Sequence, residues 1–155
     1  MADIVSQEKR SQNMSSIKSK NTKPEIFVRK QLFARGYRYR IASSSVPGHP
    51  DIYLAKHNLA VFIHGCFWHR HKNCKLAYQP KSNMAFWQKK FEANQSRDRI
   101  VKEQLEQKGI RCLIVWECAI RESQKKNVDS AALIDSIEII INSSELYSEI
   151  SAKSS

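Results

Sequence analysis

Two stretches of the 155-residue chain concentrate side chains that ligate metals or move protons. Cys66-x4-His71-x2-Cys74 gathers three ligands within nine residues, and Cys118 directly follows an apolar run that could return the chain to the same spot. Thiolates and an imidazole suit tetrahedral Zn²⁺, and four protein ligands leave no open position, so this Cys3His set reads as a structural zinc site. The alternative is that Cys66 and Cys74 are ordinary buried thiols and His71 a surface residue. Cys112 lies inside the apolar run, where a small hydrophobe is expected, and stays outside the set.

The second stretch carries acids, histidines and aromatics. Asp51 follows Pro47-Gly48-His49-Pro50 at a strand start, and Phe62-x-His64 ends the next strand, so a hairpin brings Asp51 close to His64. A carboxylate there can hold a Mg²⁺ that keeps most of its waters. Such an ion stabilises charge on a scissile phosphate and acidifies a bound water, whose proton a histidine can take. His64 and His69 are the candidates left by zinc. Glu25, on the first helix, is a further acid for the site or only a helix-start partner. Phe67-Trp68 and Phe86-Trp87 stand beside Arg70, Lys72, Lys81, Lys89 and Lys90. They are core, or wedges that unstack a base step most easily where pairing is defective.

The elements that must position these groups follow from punctuation and periodicity. Thr22-Lys23-Pro24-Glu25 matches a capping box, Val28 and Leu32 repeat at helical spacing, and Gly36 stops the helix, which gives a helix over 23–35. Strands are expected over 37–41, 51–54 and 59–64, the last two as a hairpin. Residues 65–82 lack periodicity and read as a loop that needs something other than a core to order it, for which a metal would serve. A helix over 83–108 stops at Gly109, the apolar run 110–116 suits a strand inside a sheet, and a last helix covers 129–142. The order gives an α/β fold, a central mixed sheet flanked by helices. Residues 1–21 read as a basic N-terminal arm, flexible without its partner and with at most a short helix over 8–17. Residues 22–142 form a single domain, and 143–155 a frayed tail.

Charge is uneven. The chain has 26 Lys and Arg against 15 Asp and Glu, net +11, and residues 1–120 alone carry 22 against 9. A field of that size draws in a polyanion, which makes nucleic acid the leading partner over a merely solvated basic surface. No apolar run reaches the roughly 18 to 20 residues of a membrane span, and the N-terminus has no leader-like apolar segment, so a cytoplasmic location and no membrane are expected.

Taken together, Arg10-Ser11-x-Asn13-Met14, Pro47-Gly48-x-Pro50-Asp51, Phe62-x-His64-Gly65-Cys66-Phe67-Trp68-His69-x-His71, Phe86-Trp87-x-x-Lys90 with Asn94 and Arg97-Asp98, and Val115-Trp116-Glu117-Cys118 resemble the very-short-patch mismatch-repair endonucleases, the Vsr family. The resemblance implies a restriction-endonuclease-like three-layer fold. It also implies Mg²⁺-dependent nicking of one strand 5′ to the thymine of a T:G mismatch, the lesion left by deaminated 5-methylcytosine. By position it implies that Asp51 and the backbone carbonyl of Ile63 hold Mg²⁺, that Glu25 and His64 hold water on it, and that His69 activates the nucleophile. Cys66, His71, Cys74 and Cys118 would bind structural Zn²⁺. Phe67, Trp68 and Trp87 would enter mismatched double-stranded DNA, with Asn94 and Arg97 also at the DNA surface. The family pattern has Thr at position 63 and one residue, not two, between His71 and Cys74. The partners implied are mismatch-repair proteins and a cytosine-5 DNA methyltransferase; separately, the chain is expected to be a monomer. Two other classes share parts of this pattern: a non-catalytic zinc-stabilised DNA-binding module, and a restriction-type endonuclease cutting paired DNA.

Overall fold

A computed structural model describes residues 22–41, 43–125, 128–129 and 131–152. The expected N-terminal arm and its Arg10-Ser11-x-Asn13-Met14 motif lie outside the described residues. Helix α1 spans Lys23–Ala34, with Thr22 Oγ1 accepting from the Glu25 amide at 3.4 Å and Gly36 beyond the end at φ 93°. Strands β1 (Ile52–Leu54) and β2 (Leu59–His64) pair antiparallel around a 3₁₀ turn at Ala55–His57, with Asn58 in the left-handed region that asparagine tolerates. Helix α2 (Met84–Gln107) leads to β3 (Arg111–Trp116), which lies parallel to β2. Helices α3 (Glu117–Ser123) and α4 (Ala131–Ile141) then lead to β4 (Tyr147–Ile150), parallel to β3. The sheet order is β1-β2-β3-β4.

Strand alternation sends successive side chains to opposite faces. Leu59, Val61, Leu113 and Val115 join Val28 and Leu32 of α1, Ile120 of α3 and Leu133, Ile134 and Ile137 of α4 in one core. Ala60, Phe62, Cys112, Ile114 and Trp116 face the other way, with Leu105 of α2, Cys66 and Cys118. The sheet therefore lies between helical layers. By the same parity Asp51, just before β1, and His64, at the end of β2, belong to the α2 side.

Three expectations change. Residues 37–41 form only one bridge, Arg40 to Tyr53, at the edge of β1. The short helix α3 begins immediately after β3 and carries Cys118. The segment expected to fray contains β4, whose pairing with β3 is non-local and leaves little trace in a Ser-rich local composition. Arg111, the one charge in the apolar run, helps to fix it: its guanidinium donates to the carbonyls of Ile141 and Glu145, joining the end of α4 to the approach to β4.

Candidate functional site

Asp51 reaches its position through a tight approach. Gly48 has φ 80°, and a Cβ there would stand 2.5 Å from Val101 Cγ1 and 3.1 Å from Phe62 Cε1. Glycine thus lets the turn press against α2. Asp51 Oδ2 accepts from the Ile63 amide at 2.6 Å. A residue's N–H and C=O project to the same edge of a strand, so the Ile63 carbonyl faces the Asp51 side as well. Glu25 is buried at 3% exposure and paired with Arg29 at 2.9 Å, a more demanding role than helix capping. Burial pushes the Asp51 carboxyl up to about 7, opposed by the Ile63 amide and reinforced by the negative charge of Glu25. Two carboxylates beside an inward-facing carbonyl form the kind of oxygen set that a hard divalent cation neutralises.

The histidines stand across the same cleft. His64 and His69 stack with ring centroids 3.8 Å apart and planes 4° from parallel. Burial, helped by His69, pushes His64 down to about 3, so it remains neutral at physiological pH. His69 Nδ1 lies 2.7 Å from Asp98 Oδ2 of α2. An acid on Nδ1 fixes the ring so that Nε2 is the free acceptor. Asp98 is visible in the sequence only as part of Arg97-Asp98, with nothing local to assign it a role.

A cleft of about 1930 Å³ is lined by Glu25, Asp51, Ile63, His64, His69, Trp68, Trp87, Asn94 and Arg97, among others. Of the expected DNA-facing residues, Trp68 is 39% exposed. Phe67 instead lies at the hub of an aromatic cluster, touching Trp68, Tyr78, Trp87 and Phe91 at 4.9–5.5 Å between ring centroids, and does not line the cleft. Asn94 Nδ2 donates to the Trp68 carbonyl at 3.1 Å, tying the aromatic loop to α2.

The Cys3His set closes as the spacing suggests. The candidate ligand atoms of Cys66, His71, Cys74 and Cys118 lie within 4.8 Å of one another. His71 Nδ1 is 3.6 Å from both Cys66 Sγ and Cys118 Sγ. A tetrahedral ion with sulfur at about 2.3 Å and nitrogen at about 2.0–2.1 Å needs a separation of about 3.6 Å, so this donor set fits zinc. Asn73, just before Cys74, lies in the left-handed region at φ 54°, which asparagine tolerates. Burial holds the Cys66 thiol far above its usual range, a protonated state that a bound cation would reverse.

Outer contacts brace these ligands. Trp116 stacks on His71 at 4.1 Å and donates to Glu149 of β4 at 2.7 Å. The Cys118 amide donates to Cys66 Sγ, and the Ala152 amide to Cys118 Sγ, each at 3.4 Å. Glu117 accepts from the Cys66 amide. Sequence reasoning missed Glu149 and Ala152 because their segment looked unstructured. Cys112 is buried outside the set, and its surroundings push its thiol up to about 12.

Adjacent carboxylates, a histidine held by an acid and a large open cleft together have the chemistry of a hydrolytic nuclease. Comparison with known proteins gives the same class and narrows it. The family model described as DNA mismatch endonuclease Vsr matches residues 2–76. The type II nicking enzyme V.NmeAIP of Neisseria meningitidis serogroup A is 46% identical over 121 residues, covering 78% of this chain and 86% of that protein. The type II nicking enzyme V.XorIIP of Xanthomonas oryzae pv. oryzae is 41% identical over 122 residues, covering 79% and 89%. The DNA mismatch endonuclease Vsr of Escherichia coli K12 is 38% identical over 125 residues, covering 81% and 80%. The chain belongs to the Vsr family of DNA mismatch endonucleases. Among the described residues, no helix is long and apolar enough to cross a membrane.

Proposed function

We propose that this protein nicks one strand of double-stranded DNA 5′ to the thymine of a T:G mismatch, on a restriction-endonuclease-like fold, and so starts very-short-patch repair of deaminated 5-methylcytosine. The observation that carries the reading is the convergence of the Asp51–Glu25 carboxylates and the His69–Asp98 pair in one cleft beside exposed Trp68.

Asp51 and the Ile63 carbonyl would hold Mg²⁺, which when bound neutralises phosphate charge and acidifies water, with Glu25 and His64 placed to hold water beside it. His69, its Nδ1 held by Asp98, accepts the proton of the attacking water at Nε2. The water oxygen bonds to phosphorus as the bond from phosphorus to the leaving nucleoside oxygen breaks. Neutral His64 orients water without adding a second positive charge against His69. Structural zinc in the Cys66, His71, Cys74 and Cys118 set would hold the loop that carries His69 and Trp68. Trp68 and Trp87, supported from behind by Phe67, insert beside the mismatch, where the defective pair makes unstacking least costly. Asn94 and Arg97 extend the contact along α2. The protein acts as a monomer in the cytoplasm, alongside a cytosine-5 DNA methyltransferase and mismatch-repair proteins.

The test is a nicking assay on end-labelled duplexes differing only in T:G or C:G, with and without Mg²⁺. A single nick 5′ to the mismatched thymine, absent from the paired control and lost on chelation, is the expected result. Binding without cleavage would establish the DNA-binding module instead. Equal cutting of the paired duplex would establish a restriction-type enzyme.

A further inference from the structure

Arg70 resembles a DNA-contacting cation in the sequence, but its guanidinium is turned into the protein. Nη1 donates to the Phe67 carbonyl at 3.1 Å, and Nη2 donates to the carbonyls of Ala77 and Tyr78 at 3.1 and 3.2 Å. Its Cζ lies over the Phe91 ring at 4.0 Å and over Phe67 at 5.3 Å. One planar fork therefore joins both ends of the segment 67–78 and lays it on α2, through the ring that Trp87 also stacks upon. Beyond Arg70, that end is held by the Tyr78 ring against Phe67 at 4.9 Å and by Cys74 and Leu76 packed on the core, while Tyr78 is otherwise 64% exposed and Lys72, Asn73 and Lys75 face solvent. Arg70 itself has φ 52°, an uncommon conformation for a long side chain, kept by these contacts.

We infer that Arg70 is a positioning residue for mismatch discrimination: it clasps the aromatic loop so that Trp68 is presented in its inserting conformation before DNA arrives. The inference rests on the mismatch reading of the site. Preorganisation matters because a loose loop must be ordered during binding, which weakens the complexes that depend on insertion. Paired DNA, which is not entered, depends on the loop less. The guanidinium fork is required, since a lysine ammonium keeps the charge but cannot span three carbonyls while stacking on Phe91.

The experiment compares wild type with Arg70→Lys. Equilibrium binding of T:G and C:G duplexes is measured over a salt series, together with the single-turnover nicking rate at saturating T:G duplex. Acrylamide quenching of tryptophan emission without DNA reports the loop directly, and melting temperature and zinc content control for folding. The expected result is a fall of about tenfold in the T:G over C:G binding ratio, equivalent to about 1.4 kcal/mol. Quenching should increase, while the saturated nicking rate and the salt dependence stay as in wild type. A variant that retains the wild-type ratio and quenching overturns the clasp. Equal weakening on both duplexes with a shallower salt slope also overturns it, because Arg70 would then be a phosphate contact. Failure of the underlying mismatch reading is separately visible, since wild type itself would bind the two duplexes equally.

Discussion

Replacing Asp51 with asparagine should make the Mg²⁺-free protein more stable at alkaline pH while abolishing nicking. Asparagine keeps the acceptor for the Ile63 amide and removes only the charge, which sits beside Glu25 in a poorly hydrated position. The folded carboxyl is raised from its usual 3.8 to about 7, so the folded chain keeps a proton that the unfolded chain releases. Stability from this group is therefore full below about pH 4 and lost as the pH rises through about 7. At about 1.4 kcal/mol per pH unit the bound is about 4 kcal/mol. Water reaching this half-buried group reduces the expected gain to about 2 kcal/mol. Urea unfolding at pH 5 and pH 8 in Mg²⁺-free buffer measures it: the variant should exceed wild type by about that amount at pH 8 and by much less at pH 5. Adding Mg²⁺ should stabilise wild type alone. A pH-independent difference, or a variant less stable at pH 8, would refute the reasoning that burial and Glu25 set the state of Asp51.

Asp98→Asn should lower the nicking rate by roughly 10² to 10⁴ with T:G binding unchanged, because His69 loses the acid that fixes its tautomer; single-turnover rates with an unaltered pH profile would remove Asp98 from the mechanism. Cys74→Ser should release zinc and lower the melting temperature, as metal binding is coupled to folding; elemental analysis and calorimetry decide it, and full zinc content with unchanged melting would sink the assignment. Gly48→Ala should destabilise by about 1–3 kcal/mol, since the new methyl meets Val101 at 2.5 Å in a left-handed conformation; an unchanged denaturation midpoint would show that the turn can relax away from α2.

What could be read from the sequence was what local chemistry encodes. The capping box at Thr22, the helix stops at Gly36 and Gly109, and the apolar run before Trp116 mark elements whose signals lie within a few residues. The Cys66, His71, Cys74 and Cys118 set was legible because its ligand types are distinctive, although Cys118 is distant in the chain. Asp98 was not assignable, because its partner His69 lies 29 positions away and only the packing of α2 brings them together. Strand β4 was missed for a related reason: its stability comes from pairing with β3 and from the bond between Trp116 and Glu149, neither visible in Leu146–Ser151 alone. Arg70 and Phe67 show what side-chain type alone leaves open. Their types suggest contact with DNA, but a guanidinium and a ring can serve the protein's own loop equally well.

His64, Cys66, Phe67, Trp68, His69 and His71 lie within eight consecutive positions, so on the proposed roles water placement, metal anchorage, lesion sensing and proton acceptance share one short piece of backbone. On the proposed roles, a chain without its zinc is harmless to the genome. The loop that would present the wedge is also the loop that would deliver the proton acceptor, so loss of the metal would remove recognition and cutting together.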